Sequence, residues 1–201
     1  MNIEDLISRI AKYISPKRLD HVKRVSEVAK SLALHWKVDS QKAEIAGLVH
    51  DIAKKMTPSY LVEKGVSHDK TFPKVFETYP NVWHAWVSPV AISHFLKLSS
   101  RDIASASKWH TTGNAKMSKL SQIVFIADYL DPERTLSSRS ALTDIAYTHL
   151  DLATYCISAK ALIQLVKKAL PIHPYTLQCH NYYLTTISEL DTKRVKSIIL
   201  E

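Results

Sequence analysis

Apolar residues recur along most of this chain at helical spacing, and nowhere do they alternate convincingly as a half-buried strand requires. Ser15-Pro16 sets a capping serine before the residue best suited to a first helical position, and Val25, Val28 and Leu32 then carry an apolar stripe to about Trp36. Asp39 or Ser40 opens a second helix to about Ala53, in which Ala43, Ile45, Ala46, Leu48, Val49 and Ile52 leave almost no polar face. That helix must be buried. Thr57-Pro58 starts a short third helix, and from Gly65 to Pro80 the breakers Pro73 and Pro80 predict a loop or broken helix. Further helices are predicted over about 82–97, 100–110, 118–130, 139–148 and 150–169, with Ser99 and Asp102 resembling a capping box. The last thirty residues, with Pro171, Pro174 and Tyr182-Tyr183, predict no more than a short helix at the end. Without an internal repeat or a low-complexity linker, residues 1–201 read as one all-α helical domain.

Composition narrows the function. At 201 residues, 46% apolar and 23% charged, the chain is long and hydrophobic enough to build a core and too hydrophobic for disorder. Its three glycines, Gly47, Gly65 and Gly113, lie too far apart for a dinucleotide fingerprint or a P-loop. Two cysteines, Cys156 and Cys179, make no disulfide framework. The first residues show no basic and apolar leader pattern, and no apolar run is long enough to span a membrane, so a cytoplasmic protein is expected. The net charge of +8 attracts polyanions, whether nucleic acid, anionic lipid or small phosphorylated ligands, yet the basic residues are scattered and form no run of five.

Two acids stand where acids are costly. Asp51 closes the apolar string Gly47-Leu48-Val49-His50-Asp51-Ile52-Ala53, and Asp128 follows Ile123-Val124-Phe125-Ile126-Ala127. An unpartnered buried carboxylate costs several kcal/mol, so each needs a cation, a strong donor or a metal. The plainer reading of Asp51 is a frayed helix end, or a pair with Lys54 or Lys55. Of the ten histidines, His21 shares an apolar stripe with Val25, Val28 and Leu32, His84 with Val87 and Ala91, and His110 with Ile103 and Ala106. A lone inward histidine is more often a core residue bonded to a backbone carbonyl. Four of them, counting His50, together with two inward carboxylates, form the donor set that divalent transition metals take. His35, His68, His94, His149, His173 and His180 fall on polar faces or in loops and read as surface or packing residues.

The order His21, His50-Asp51 and a distant Asp128 resembles the HD superfamily of metal-dependent phosphohydrolases. Arg18-Leu19-x-His21-x-x-Arg24-Val25, Ala43 to Lys54, His84-Ala85, Trp109-His110-Thr111-Thr112-Gly113, and Phe125-Ile126-Ala127-Asp128-Tyr129-Leu130-Asp131-Pro132-x-Arg134 are similar to its YqeK branch, the symmetrical bis(5'-nucleosyl)-tetraphosphatases. The resemblance covers about residues 17–170. It implies a helical HD-type bundle that splits diadenosine tetraphosphate into two ADP, with a nucleotide as its partner. It also implies two divalent metals, iron foremost and manganese as the alternative. His21, His50, Asp51 and Asp128 would hold one metal, and Asp51 would bridge to a second on His84 and His110. A hydroxide bridging such metals, about 3.5–4 Å apart, would attack phosphorus in line. Asp51, Lys54 and Arg134 are the catalytic residues so implied, and His21, Lys54, Thr111, Thr112, Gly113 and Arg134 the substrate-binding ones. Gly113 permits a positive φ around an anion, and Arg134 offers a planar fork for phosphate.

Two segments depart from the family pattern, Ala85-Trp86-Val87-Ser88-Pro89 and Leu136-Ser137-Ser138-Arg139-Ser140, both expected beside the substrate pocket and both bearing on substrate choice. The competing readings are an HD nucleotidase acting on another nucleotide, a basic helical module binding RNA or a protein, and an HD scaffold that keeps metal without catalysis. A homodimer stays open, with Tyr182, Tyr183 and Leu184 available to cover a partner or to pack on the core.

Overall fold

The computed structural model describes residues 2–66, 72–135 and 137–200 of the chain, so His68 and Leu136 lie outside the described residues. Among the described residues twelve α-helices run in order, without strands. They are α1 (Ile3–Ile10), α2 (Pro16–His35), α3 (Ser40–Val49), α4 (Pro58–Glu63), α5 (Phe72–Thr78), α6 (Pro80–Leu96), α7 (Arg101–Trp109), α8 (Lys119–Tyr129), α9 (Arg139–Thr148), α10 (Leu150–Lys167), α11 (Pro174–Thr186) and α12 (Glu189–Leu200). The all-α reading of the sequence holds.

Helix starts obey the capping signals. The Ser15 side chain accepts from the Arg18 amide, Asp39 from Lys42 and Thr57 from Tyr60, each satisfying a donor that the first turn leaves unpaired. At α7 the cap is Ser100, accepting from Ile103, rather than Ser99. Three segments of the chain go beyond the sequence reading. Helix α1 places Ile3, Leu6, Ile7 and Ile10 on one face, with Leu6 and Ile10 fully buried. Helix α5 occupies part of the segment expected to be broken, and the tail forms two helices, α11 and α12, instead of one short one.

Helix α8 runs through the middle, with Leu120 to Ala127 buried, between α2, α7 and α10. Helix α3 packs on α2, α7 and α8, while α10 carries α9, α11 and α12 on its remaining sides. Gly47 sets the α2–α3 spacing: a Cβ there would come within 2.6 Å of the Ser26 Cα. Helix α3 also ends earlier than its apolar run suggests. The Ile52 amide donates to Val49 O and the Lys54 amide to Asp51 O, a tightened turn that replaces the expected continuation to Ala53. Neighbouring side chains on a helix diverge. Leaving the helix at this point lets His50 and Asp51 reach the same place.

Candidate metal centre

The six side chains of the cluster arrive from five helices or helix ends. His21 lies in the second turn of α2, His50 caps α3 with Asp51 following, His84 lies in the first half of α6, His110 caps α7, and Asp128 sits in the last turn of α8. All four Nε2 atoms converge on the two carboxylates. Asp51 divides them: its Oδ2 lies 3.8 Å from His21 Nε2 and 3.7 Å from His50 Nε2, and its Oδ1 lies 3.1 Å from His84 Nε2 and 3.5 Å from His110 Nε2. Asp128 Oδ1 joins the first group, 3.2 Å from His21 Nε2 and 3.8 Å from His50 Nε2. His84 and His110 approach each other at 3.1 Å through Nε2.

The far side of three rings is anchored. His50 Nδ1 donates to Gly47 O and His110 Nδ1 to Ser107 O, both at 2.7 Å. A carbonyl can only accept, so each neutral ring keeps its proton on Nδ1 and turns a lone pair inward at Nε2. His21 Nδ1 lies 2.6 Å from Asp131 Oδ2, and Asp131 accepts from the Arg24 fork at 2.7 Å and 3.1 Å. Ser88 donates to His50 O at 3.0 Å and steadies that turn from α6. Arg24 and Asp131 stood in the motifs without a role. The available signal was a third acid directly after an apolar helix, three residues beyond Asp128.

Burial pushes His50 and His84 down to about 4, because the apolar surroundings disfavour imidazolium. For His21 burial acts the same way, but Asp128 and Asp131 outweigh it and raise its pKa. Burial would raise Asp51, yet His50, His110 and His84 hold its carboxyl well below the ordinary carboxylate range. Asp128 is lowered too, against burial, by His21 and Arg134. The carboxylates stay ionised beside His50 and His84, whose rings are neutral near pH 7, a protonation state suited to binding a cation.

The site's own unpaired atoms test that fit. His21 Nε2, His50 Nε2 and Asp51 Oδ1 are buried with no hydrogen-bond partner, an arrangement costly in a structure with nothing to bind. Three overlapping sets, His21-His50-Asp51, His50-His110-Asp128 and Asp51-His84-His110, bring one ligand atom from each residue within 4.8 Å of one another. These donors fit divalent metal. The plainer reading of Asp51 is present only in part: Lys54 Nζ lies 3.6 Å from Oδ1, while Arg18 Nη1 lies 2.7 Å from Oδ2. Ion pairs account for a carboxylate but not for four converging imidazoles.

A cleft of about 320 Å³ opens above the cluster, with Arg18, Lys54, Thr111, Tyr129 and Arg134 in its wall. Arg134 Nη2 rests on Asp128 Oδ1 at 2.7 Å, and Lys54 Nζ lies 3.0 Å from His84 Nε2. Thr111 Oγ1 reaches His110 Nε2 at 2.9 Å and His84 Nε2 at 3.3 Å. The next two residues do other work. Thr112 is buried and donates to Gly113 O, and the Gly113 amide donates to Trp109 O. Gly113 has φ +63, and a Cβ there would fall 2.4 Å from Cys179 Sγ, so the glycine admits α11 against this loop. Of the two divergent segments, Ser137 and Ser138 border a smaller cavity beside Tyr129. Trp86 does not line the cleft: its ring packs on Trp109, His173 and Tyr175.

The model of the HD domain family matches residues 18–133, more than half of the chain. A symmetrical bis(5'-nucleosyl)-tetraphosphatase of Staphylococcus aureus is 32% identical over 188 residues, spanning 91% of this chain and 95% of that protein. One of the same description from Bacillus subtilis is 28% identical over 185 residues, spanning 92% and 99%. Among solved structures, a protein of Clostridium acetobutylicum described as a predicted HD superfamily hydrolase involved in NAD metabolism superposes with a TM-score of 0.81 at 25% identity, covering 93% of this chain and 99% of that one.

Proposed function

The chain belongs to the HD domain family, and from that premise we propose that it is a metal-dependent phosphohydrolase splitting diadenosine tetraphosphate symmetrically into two ADP. The observation that carries the reading is the convergence of four histidine Nε2 atoms on Asp51 and Asp128 beneath a cleft ringed by Arg18, Lys54 and Arg134.

In this reading His21, His50, Asp51 and Asp128 hold one divalent cation, and Asp51, His84 and His110 hold a second, iron being the favoured metal and manganese compatible with the same donors. Bound cations supply Lewis acidity toward phosphoryl oxygens and ionise water near neutral pH. The protein does the rest. Asp51 offers one oxygen to each half of the cluster and fixes their spacing. Arg18, Lys54 and Arg134 exchange carboxylate contacts for phosphate oxygens when substrate arrives, and Arg134 can grip two at once. The Thr111 hydroxyl adds a neutral donor, while Thr112 and Gly113 shape the loop behind it. The oxygen of water bonds to one of the two central phosphorus atoms, and the oxygen that bridged them leaves with the other half. Negative charge grows on the phosphoryl oxygens during this step, so fixed cations there bind the transition state better than the ground state. We place residues 1–201 in one HD-type domain acting in the cytoplasm, a setting that keeps the buried thiols of Cys156 and Cys179 reduced.

Metal analysis of protein prepared without added metal, followed by chromatography of the products, tests the proposal. Bound metal and two ADP per tetraphosphate, both lost in Asp51→Asn, support it. Monophosphate or inorganic phosphate as product would favour another HD nucleotidase. Metal-dependent melting without turnover would mark a scaffold, and salt-sensitive RNA binding indifferent to Asp51→Asn would mark a basic binding module.

A further inference from the structure

Ser137 to Ser140 of the second divergent segment form the entry to α9 and stay outside the lining of the metal cleft. A serine just before a first helical turn usually swings its side chain back to accept from an amide of that turn, as Ser15, Ser100 and Ser118 do. Ser138 does not. Its backbone, at φ -90 and ψ 13, is not extended as theirs is, and its hydroxyl makes no capping bond. The residue is only 4% exposed, and its Oγ has no hydrogen-bond partner among the described residues. Arg139 repeats the shortage: Nη1 donates to Pro132 O, while Nε and Nη2 are buried without an acceptor. Two consecutive residues thus hold three buried polar atoms able to donate and lacking a partner, a costly arrangement unless something supplies acceptors.

Ser138 borders a cavity of about 140 Å³, with Ser137 beside it and Lys160 and Lys167 facing it from α10. Lys160 Nζ donates to Ile198 O at 2.6 Å, so α12 holds that lysine in place. Among the described residues no carboxylate borders the cavity. Two ammonium groups, two hydroxyls and the positive end of α9 make a setting for an anion. The volume exceeds the roughly 10–15 Å³ that one water needs and falls below the roughly 300 Å³ at which pockets for drug-sized ligands begin, so it suits a phosphate or diphosphate group and excludes a base with its sugar. Tyr129, Lys160 and Gln164 border both this cavity and the metal cleft, so the two spaces are neighbours. We propose that the start of α9 is a second phosphate-binding site, separate from the metal centre, which takes phosphate groups of the substrate half that leaves. The assignment to the leaving half rests on the hydrolase reading above; the anion site itself does not.

Imidodiphosphate, a diphosphate analogue whose P–N–P bridge resists hydrolysis, is the probe, titrated by calorimetry into the metal-loaded protein. Two binding events per chain are expected, one at the metal centre and one at α9. Ser138→Asp sets a carboxylate beside the anion and should abolish the second event alone, with metal content unchanged. Lys167→Glu, at an exposed position on the rim, should weaken that event about tenfold or more and stands in if Ser138→Asp fails to fold. A single event in the wild type, or two events untouched by both variants, would overturn the site. Ser138→Ala separates binding from folding: removing an orphaned hydroxyl should leave the melting temperature unchanged or raised while the second event weakens. A lower melting temperature with unchanged binding would make Ser138 a structural residue and refute the site. Turnover then tells whose phosphates use it. A contact held equally in the ground and transition states raises KM and spares kcat, so KM for diadenosine tetraphosphate should rise about tenfold in Ser138→Asp, with kcat changed by less than about twofold. An unchanged KM beside a lost second event would assign the site to free phosphate and overturn its role toward substrate. A wild type that does not cleave the tetraphosphate at all would sink the hydrolase reading, while the calorimetry still decides the anion site.

Discussion

His21 and Asp131 are joined at 2.6 Å through Nδ1 and Oδ2, and the same carboxylate lies in the fork of Arg24. Arg24 stands one turn beyond His21 on α2, so a single helix presents both partners of the acid. The contact fixes which nitrogen of His21 faces Asp51 and Asp128 and strengthens it as a donor. Asp131→Asn should therefore weaken metal affinity by about 10- to 100-fold, with turnover recovered in excess metal. Chelator competition measures this, and an unchanged affinity would reduce Asp131 to an anchor for Arg24.

The same helix depends on a missing side chain. A Cβ at Gly47 would lie 2.6 Å from the Ser26 Cα, a backbone atom that no rotamer change can move aside. Gly47→Ala must push α2 and α3 apart, and with them His21 from His50. Overpacking of this kind costs about 1–3 kcal/mol. A lower melting temperature together with lost metal binding is expected; a lower melting temperature with intact metal binding would show that the ligands tolerate the shift.

Why the sequence disclosed the converging histidines and acids and not their supports follows from what each residue contacts. His21, His84 and His110 lie on apolar stripes, and an apolar stripe records which way a helix faces. Asp131 follows α8 in a loop, and its partners lie on a helix 107 and 110 residues away, a relation no local period encodes. Arg18 stood in its motif without a role, yet it bonds the buried Asp51. The ends of the fold divide similarly. Ile3, Leu6, Ile7 and Ile10 do carry a helical stripe, too short to stand out, whereas α11 is held by tertiary contacts such as Cys179 against Gly113, which periodicity cannot show. Trp86 was visible as a departure, but its packing against α11 instead of the cleft depends on α11 being there.

Acid should destabilise the metal-free protein in a defined window. His50 and His84 have folded values of about 4, against about 6.5 in the unfolded chain. Between those values the unfolded chain binds more protons, so the stability these groups confer is complete above pH 6.5 and is lost as pH falls toward 4. His21 runs the other way: its raised value gives stability below pH 6.5 that fades as pH rises, so the two depressed histidines outnumber it. The melting temperature of chelator-treated protein should therefore fall from pH 6.5 to pH 4, and a flat profile would contradict the burial of both rings.

Arg134 separates stability from catalysis. Its side chain is 41% exposed and pairs with the largely buried Asp128 at 2.7 Å, and a pair screened by solvent on the arginine side contributes about 0–1 kcal/mol to folding. Arg134→Ala should leave the melting temperature and metal content nearly unchanged. Its catalytic loss should be far larger, because a fixed cation beside phosphoryl oxygens meets charge that develops only in the transition state; removing one such donor costs about 10²- to 10³-fold in kcat. Arg134→Lys keeps the charge but lacks the planar fork, so it should restore only part of the rate. Full rescue by lysine would mean that charge alone is used, and an unimpaired alanine variant would remove Arg134 from the mechanism.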